Sequence, residues 1–334
     1  MTDFQAEKEL VRAHHAAIEA ADPAGMAAAL ARHTAPDWHW RGMCPFDERK
    51  GPEAVAEVFW TPLATALTGL QRRQDIFFAG LNEIDGFSGR WVVSMGHLTG
   101  LLDAPWLGIR PTRKLVMLRY AEFHHVRDGR IVETAQFADI PHLMVQAGQP
   151  PFGPATAQHL VQPGPRTQDG LIYGSRPAEE GRATLALINA MISDLGNWGL
   201  GLPLEEELRR TWHEDMLWWG PEGIGATYTI PRYAAQHAGP FRARFTDRKR
   251  IGHRARLAEG HYGGFFGYPS FSAQPLGGFM GLPGGATRAE FRVIDIYRRA
   301  GDKLAENWVF IDMLAFLRGQ GVDVLGRLDE IRTA

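Results

Sequence analysis

Two acidic residues sit where acids are costly. Glu122 belongs to the run Val116, Leu118, Tyr120, Glu122, His124, Val126, whose alternate positions share one strand face. Asp295 belongs in the same way to Phe291, Val293, Asp295, Tyr297. A carboxyl among apolar neighbours is expensive to bury ionised, and desolvation raises its pKa. A carboxyl kept partly neutral in a concave site is what proton transfer at neutral pH needs. The chemistry expected is proton abstraction beside a carbonyl, with the resulting enolate held by a neutral donor behind aromatic walls.

The two acids are 173 residues apart, and the same offset extends around them. Residues 119–149 align with 292–322 without a gap, and Trp106-Leu107-Gly108-Ile109 falls on Phe279-Met280-Gly281-Leu282. The chain reads as one unit present twice. In the first copy, Phe4, Leu10, His14, Ala17 or Ile18, and Ala21 recur at helical spacing, and Asp22-Pro23 starts a second short helix. Asp37-Trp38-His39-Trp40 alternates like a short strand, and Gly51-Pro52-Glu53 opens a helix that Pro62 kinks or restarts. Period two then marks strands near 72–81, 89–100, 113–126 and 130–139, with a hairpin at Arg127-Asp128-Gly129-Arg130. A short helix from Asp139 to Ala147 closes the unit. The second copy restarts on the stripe Leu185, Ile188, Ile192, Leu195. It places a strand at Trp218-Trp219-Gly220, a helix from Pro231, strands from about Arg250 and a bulged strand pair within 260–285. The expected domains are 1–148 and 180–334, joined by a Pro/Gly-rich linker over 149–179. Helices followed by a curved antiparallel sheet make an α+β pattern, and two such copies are expected to dock as an internal pseudo-dimer.

The totals exclude several classes. A net charge of -2 over 334 residues gives no electrostatic reason to expect nucleic acid or an anionic membrane. The basic run Arg242 to Arg250, with Asp247 inside it, reads as a solvated helix end. One cysteine, Cys44, rules out an intrachain disulfide and fits a reducing compartment. No apolar stretch has the form of a signal peptide or a membrane span, so a cytoplasmic protein is expected. No HExxH or CxxC spacing occurs, and the adjacent pairs His14-His15 and His124-His125 diverge on a helix and a strand respectively. Neither a metal nor a cofactor is expected.

The second copy's Val293-Ile294-Asp295-Ile296-Tyr297-Arg298, followed by Lys303-Leu304-Ala305-Glu306-Asn307-Trp308, resembles the "IDIFR … DGKIVEHW … D" ending of the SnoaL-like polyketide cyclases of the nuclear transport factor 2-like superfamily. In the first copy, Trp106 to Thr112 resembles their "FLGIPPTG" segment, Arg127 to Glu133 their hairpin, and Gly96-His97-Leu98-Thr99-Gly100 their "GTHTG" strand. The resemblance spans roughly 1–148 and 180–332. It implies two tandem cystatin-like cones, each a curved sheet wrapped by helices around a ligand pocket. It implies acid/base chemistry without metal or cofactor, with Asp295 at the position of the cyclase aspartate. The first copy departs by carrying Glu122, with His124 where an aromatic is usual. A ketosteroid isomerase resembles the same ending, with a protonated acid at that position donating to an oxyanion.

These readings give a cyclase, isomerase or lyase acting on a small carbonyl compound or ester. Asp295, Glu122 and His97 are the candidate catalytic groups. Tyr120, His124, His39, Trp40, Tyr297, Trp308 and His14 are the candidate binding groups. The partner is a small molecule, and the pseudo-dimer could pair further as a homo-oligomer. A non-catalytic binding module remains open. So does an epoxide hydrolase, although Arg119 and Arg292 lie on the strand face opposite the two acids.

Overall fold

The structure, a computed structural model, describes residues 3–158, 161–196 and 201–330. The remaining residues of the two expected domains and the linker lie outside this description. The chain divides into two compact units. One gathers Thr2–Pro151 with Pro163–Ser175 and Asp323–Ala334; the other gathers Phe152–Gln162 with Arg176–Val322. The 149–179 stretch is thus shared between them. Phe77 exchanges backbone hydrogen bonds with Gly170 and Ile172 in the first unit, and Gln158 does so with Ala226 in the second. Each segment thus adds backbone hydrogen bonds to its unit.

The first unit opens with α1 (Gln5–Glu19) and α2 (Met26–Ala31), then β1 (Thr34–Gly42) and β2 (Glu48–Lys50). Next come α3 (Pro52–Val55) and α4 (Thr61–Ala66), joined by a π-helical turn over Ala56–Trp60. That turn lies just before Pro62, whose missing N–H no α-helical ladder can use. The strands β3 (Leu67–Leu81), β4 (Arg90–Leu102), β5 (Leu115–Arg127) and β6 (Arg130–Ala138) follow, then α5 (Ile140–Gln146). Asp128 and Gly129 both take positive φ in the tight hairpin between β5 and β6. The strand order is β2-β1-β6-β5-β4-β3, antiparallel except for the parallel β1/β6 ladder.

The second unit repeats this plan. It runs α6 (Ala178–Gly196), α7 (Leu204–Arg209), β7 (Trp212–Trp219), β8 (Ala226–Tyr228) and α8 (Ile230–Tyr233). A π-helical turn over Ala234–Ala238 leads into α9 (Gly239–Arg244). Then follow β9 (Phe245–Arg250), β10 (Ala255–Glu259), β11 (Tyr262–Pro275), β12 (Ala289–Ala300), β13 (Lys303–Ile311) and α10 (Met313–Gly319). The order is β10-β11-β12-β13-β7-β8, with β9 also on β11 and with β7/β13 parallel. Asp139 and Asp312 occupy matching positions and cap α5 and α10 through the amides of His142 and Ala315.

The fold class is α+β, two tandem units of one topology. One difference separates the two units. The edge strand β3 is continuous through a bulge at Asp75, whereas its counterpart is broken between Arg250 and Ala255 into β9 and β10. The basic run is a helix end only in its first part: Arg242 and Arg244 close α9, and Phe245 to Arg250 form an edge strand on β11.

Candidate functional site

Glu122 is 1% exposed inside the first cone. Its expected raised pKa is corrected by what surrounds it. Arg72 of β3 reaches it with two nitrogens, Nη1 at 2.8 Å from Oε2 and Nη2 at 3.2 Å from Oε1. His15 Nε2 lies 3.0 Å and His124 Nε2 3.3 Å from Oε2. Burial alone would raise this carboxyl, but Arg72, His124 and His15 outweigh it and hold it well below the usual range. The network also sets a tautomer. The Glu122 carboxylate only accepts, so His124 presents an N–H to it from Nε2, and the Thr134 hydroxyl, which accepts from Trp38 Nε1 at 3.0 Å, donates to the other ring nitrogen, Nδ1, at 3.0 Å. His124 then carries its proton on Nε2 and donates it to Glu122.

Burial lowers His15 to about 3, with Arg72 adding to the effect, and burial lowers His14 as well. Both imidazoles are neutral at pH 7. The Arg72 guanidinium lies 4.4 Å from the Tyr120 ring centroid. The Tyr120 hydroxyl bonds Ser94 Oγ at 2.9 Å and is pushed up to about 12, chiefly by burial. His15, Glu122 and His124 bring three ligand-type atoms within 4.8 Å of one another. The fit to a metal is poor. The His124 lone pair is turned toward Thr134, and the carboxylate already neutralises a guanidinium, whose charge would repel an ion there.

Asp295 meets a different environment. It lines a cavity of about 420 Å³ inside the second cone. Asn307 Nδ2 donates to Asp295 Oδ1 at 3.1 Å and to the Ile296 carbonyl at 3.0 Å, which fixes the amide. Tyr297 also donates a hydrogen bond to Asp295. Burial and the Asp295 charge raise the Tyr297 and Tyr233 hydroxyls above the ordinary phenol value, so both remain donors. The walls are aromatic. His237 stacks on Trp218 with centroids 4.1 Å apart, and His253 stacks on Phe265 at 3.9 Å. Burial lowers both histidines to about 3.

Residues 11–134 match the SnoaL-like domain family. That stretch lies within the first cone, from α1 to β6. No curated protein matches the chain. Among solved structures, a nuclear transport factor 2-like protein from Burkholderia thailandensis E264 is similar at 25% identity and a TM-score of 0.32, over 43% of this chain and 97% of that one. A SnoaL-like protein from Jannaschia sp. CCS1 is similar at 21% and 0.33, over 43% of this chain and 91% of that one. TsrD from Streptomyces laurentii is similar at 18% and 0.35, over 44% of this chain and 98% of that one.

Within the first cone, the structure gathers Glu122, Tyr120, His124, His14 and Trp40. The ring centroids of His14 and His124 are 6.0 Å apart, and Trp40 Nε1 bonds Gln136 Oε1 at 2.9 Å. It separates two other candidates from them. His97 pairs across the sheet with Arg119, not with Tyr120 or Glu122, so it occupies the other sheet face. There its Nδ1 lies 3.3 Å from Asp75 Oδ2. His39 alternates outward from Trp38 and Trp40 and meets Glu48 at 3.3 Å. In the second cone, Tyr297 lines the cavity. Trp308 does not, because it pairs with Ile296 on the opposite face from Asp295 and Asn307. Arg72, His15, Asn307, Tyr233 and His237 were missed from sequence. One signal was available. In Trp40-Arg41-Gly42 and Trp218-Trp219-Gly220, the indole lies where the glycine's Cβ would be, at 2.2 Å and 2.0 Å, so each motif marks an inward-folded tryptophan.

Proposed function

We propose that the second cone carries cofactor-free acid/base chemistry of the cyclase or isomerase type on a small carbonyl compound, and that the first cone is structural. The observation behind this reading is that Asp295 faces a cavity of about 420 Å³, while Glu122 is neutralised by a buried guanidinium. Asp295 accepts hydrogen bonds from Asn307 and Tyr297, an arrangement for a carboxylate acting as base.

The carboxylate takes a proton from the carbon beside the substrate carbonyl. The electron pair moves onto the carbonyl oxygen, and Tyr233, which lines the cavity and stays protonated, is the phenolic donor for that oxyanion, while Tyr297 keeps its proton on Asp295. In a cyclisation, the enolate carbon attacks a second carbonyl of the same molecule, forming the C–C bond, and the new alkoxide recovers the proton from Asp295. In an isomerisation, the proton returns to another carbon. The walls of Trp218, Phe265 and Phe241 exclude water from the enolate.

The test is deuterium incorporation into the methyl group of 2-acetylnaphthalene in D₂O, followed by NMR with the full chain. The wild type should exceed buffer, and Asp295→Asn should lower the rate by about 10²–10⁴-fold. Exchange that survives Asp295→Asn removes this mechanism. Saturable binding with no exchange in either protein places the cone among binding modules.

A further inference from the structure

The two cones share an arginine and use it differently. Arg72 pairs with Leu98 across the β3/β4 ladder, and Arg250 pairs with Phe271 across β9/β11. Leu98 and Phe271 are 173 residues apart, the offset that relates Glu122 to Asp295, so Arg250 holds the place of Arg72. In the first cone that guanidinium grips a carboxylate with two nitrogens. In the second, Arg250 is the last residue of its strand, is exposed, and lines the cavity without an ion pair among the described residues.

Its neighbours make an anion site. Arg248 lies 4.5 Å from the Phe271 ring centroid and also lines the cavity. Burial, then the nearby Arg242 and Arg250, lower its pKa, as expected where cations crowd together. Arg242 is already paired with Glu207. The amides of Ile251 and Gly252, just after Arg250, both donate to the Ser270 carbonyl and hold this turn against β11. Ser270 Oγ and His253 Nδ1 are buried, line the same cavity and have no hydrogen-bond partner. Unpartnered buried polar atoms are costly, and a ligand oxygen satisfies them. Asp295 is the one carboxylate among the cavity's lining residues.

We infer that the second cone takes a flat aromatic carbonyl compound bearing a carboxylate, which Arg250 and Arg248 bind beside Ser270 and His253. The carboxylate does for Arg250 what Glu122 does for Arg72. A planar guanidinium matches a carboxylate with two parallel hydrogen bonds, and stacked aromatic walls suit a flat body. This inference rests on reading the second cone as a ligand site.

The probe is 2-naphthoate, compared with neutral 2-naphthamide by calorimetry on the full chain. The wild type should prefer the acid by about tenfold, which corresponds to one charge-assisted pair. Arg250→Gln should bring the two within about threefold of each other, and the wild-type preference should shrink with added salt. Arg248→Gln should reduce it less, because Arg248 also bonds the Leu195 carbonyl. Equal binding of acid and amide, a preference that survives Arg250→Gln, or no binding of either compound overturns the inference. The assay needs no turnover. A preference retained in Asp295→Asn, beside a deuterium exchange that ignores Asp295, sinks the catalytic reading and leaves the carboxylate site standing.

Discussion

At the same strand position, one cone buries a neutralised acid and the other presents its acid to a cavity. The surrounding substitutions explain the split. With a constant offset of 173, His124 becomes Tyr297, Thr134 becomes Asn307, Gln136 becomes Val309 and Tyr120 becomes Val293. Each change removes a polar anchor of the Glu122 network or turns it into a donor for Asp295. The break between β9 and β10 then leaves Arg250 at a strand end, while Arg72 stays within a continuous strand. An acid in an apolar strand face therefore has no fixed role. A charged partner arriving from another strand decides whether it becomes a structural ion pair or a reactive group.

The largest effect should come from breaking the buried pair. Glu122→Gln leaves Arg72 buried without its counter-charge and should cost the first cone about 3–5 kcal/mol. Asp295→Asn keeps shape and both hydrogen-bond partners in a half-buried site, and should change stability by no more than about 1 kcal/mol. Urea unfolding of the two variants compares them directly. Equal losses would erase the distinction between the cones.

Removing both charges sharpens the point. The pair Arg72→Met with Glu122→Leu should recover most of the loss and finish within about 2 kcal/mol of wild type, because no unpaired charge remains. A double variant as unstable as Glu122→Gln would mean that the hydrogen bonds from His15 and His124, not the ion pair, hold this interior together.

Acid titration separates these contributions further. Glu122 is held below its ordinary value when folded, so the unfolded chain takes up its proton first as pH falls. Its contribution is full above the unfolded carboxyl value of 4.5 and is lost as pH falls through the depressed folded value. His15 titrates from an unfolded value of 6.5 to about 3 when folded, so the first cone also weakens steadily between those values. His237 and His253 give the second cone the same sign over the same range. His15→Gln should flatten the urea midpoint against pH for the first cone alone between pH 6.5 and 4.5, and an unchanged slope would count against a neutral His15.

Much of this was legible in sequence. Period-two runs, the Asp-Gly hairpin and the 173-residue repeat specify the strands, because side-chain alternation and turn chemistry are local. Glu122 and Asp295 stood out for the same reason. The partner of Glu122 did not. Arg72 is fifty residues upstream on a strand two places away, in a polar run that alternation reads as solvent-facing. Of the helical pair His14-His15, the apolar stripe favoured His14, and the docking angle of α1 delivered His15 to the carboxylate instead. His97 matched a motif by type, but strand alternation places it on the far face. Cavities arise from the packing of separated elements, and no local pattern in Trp218, Tyr233 or His253 announced one.

The smallest expected effect concerns a backbone position that the two cones fill differently. Gly51 precedes α3 with φ 82° and ψ 153°, and Thr229 precedes α8 with φ 71° and ψ 151°. Glycine adopts this conformation freely, whereas a β-branched residue there is strained by about 1–3 kcal/mol. Glycine returns part of that through its larger unfolded-state entropy. Thr229→Gly should therefore stabilise the second cone by about 1 kcal/mol. The reverse change should be worse, since a Cβ at Gly51 would meet the Pro36 carbonyl oxygen at 3.2 Å, and Gly51→Thr should cost the first cone about 2 kcal/mol. The strain at Thr229 sits at the head of the helical segment that carries Tyr233 and His237 to the cavity, and Tyr233 N donates to the Thr229 carbonyl at 2.9 Å. If that strain positions the phenol, Thr229→Gly should gain stability and lose 2-naphthoate affinity together. A gain in stability with affinity intact would show that the conformation serves the fold alone, as it does at Gly51.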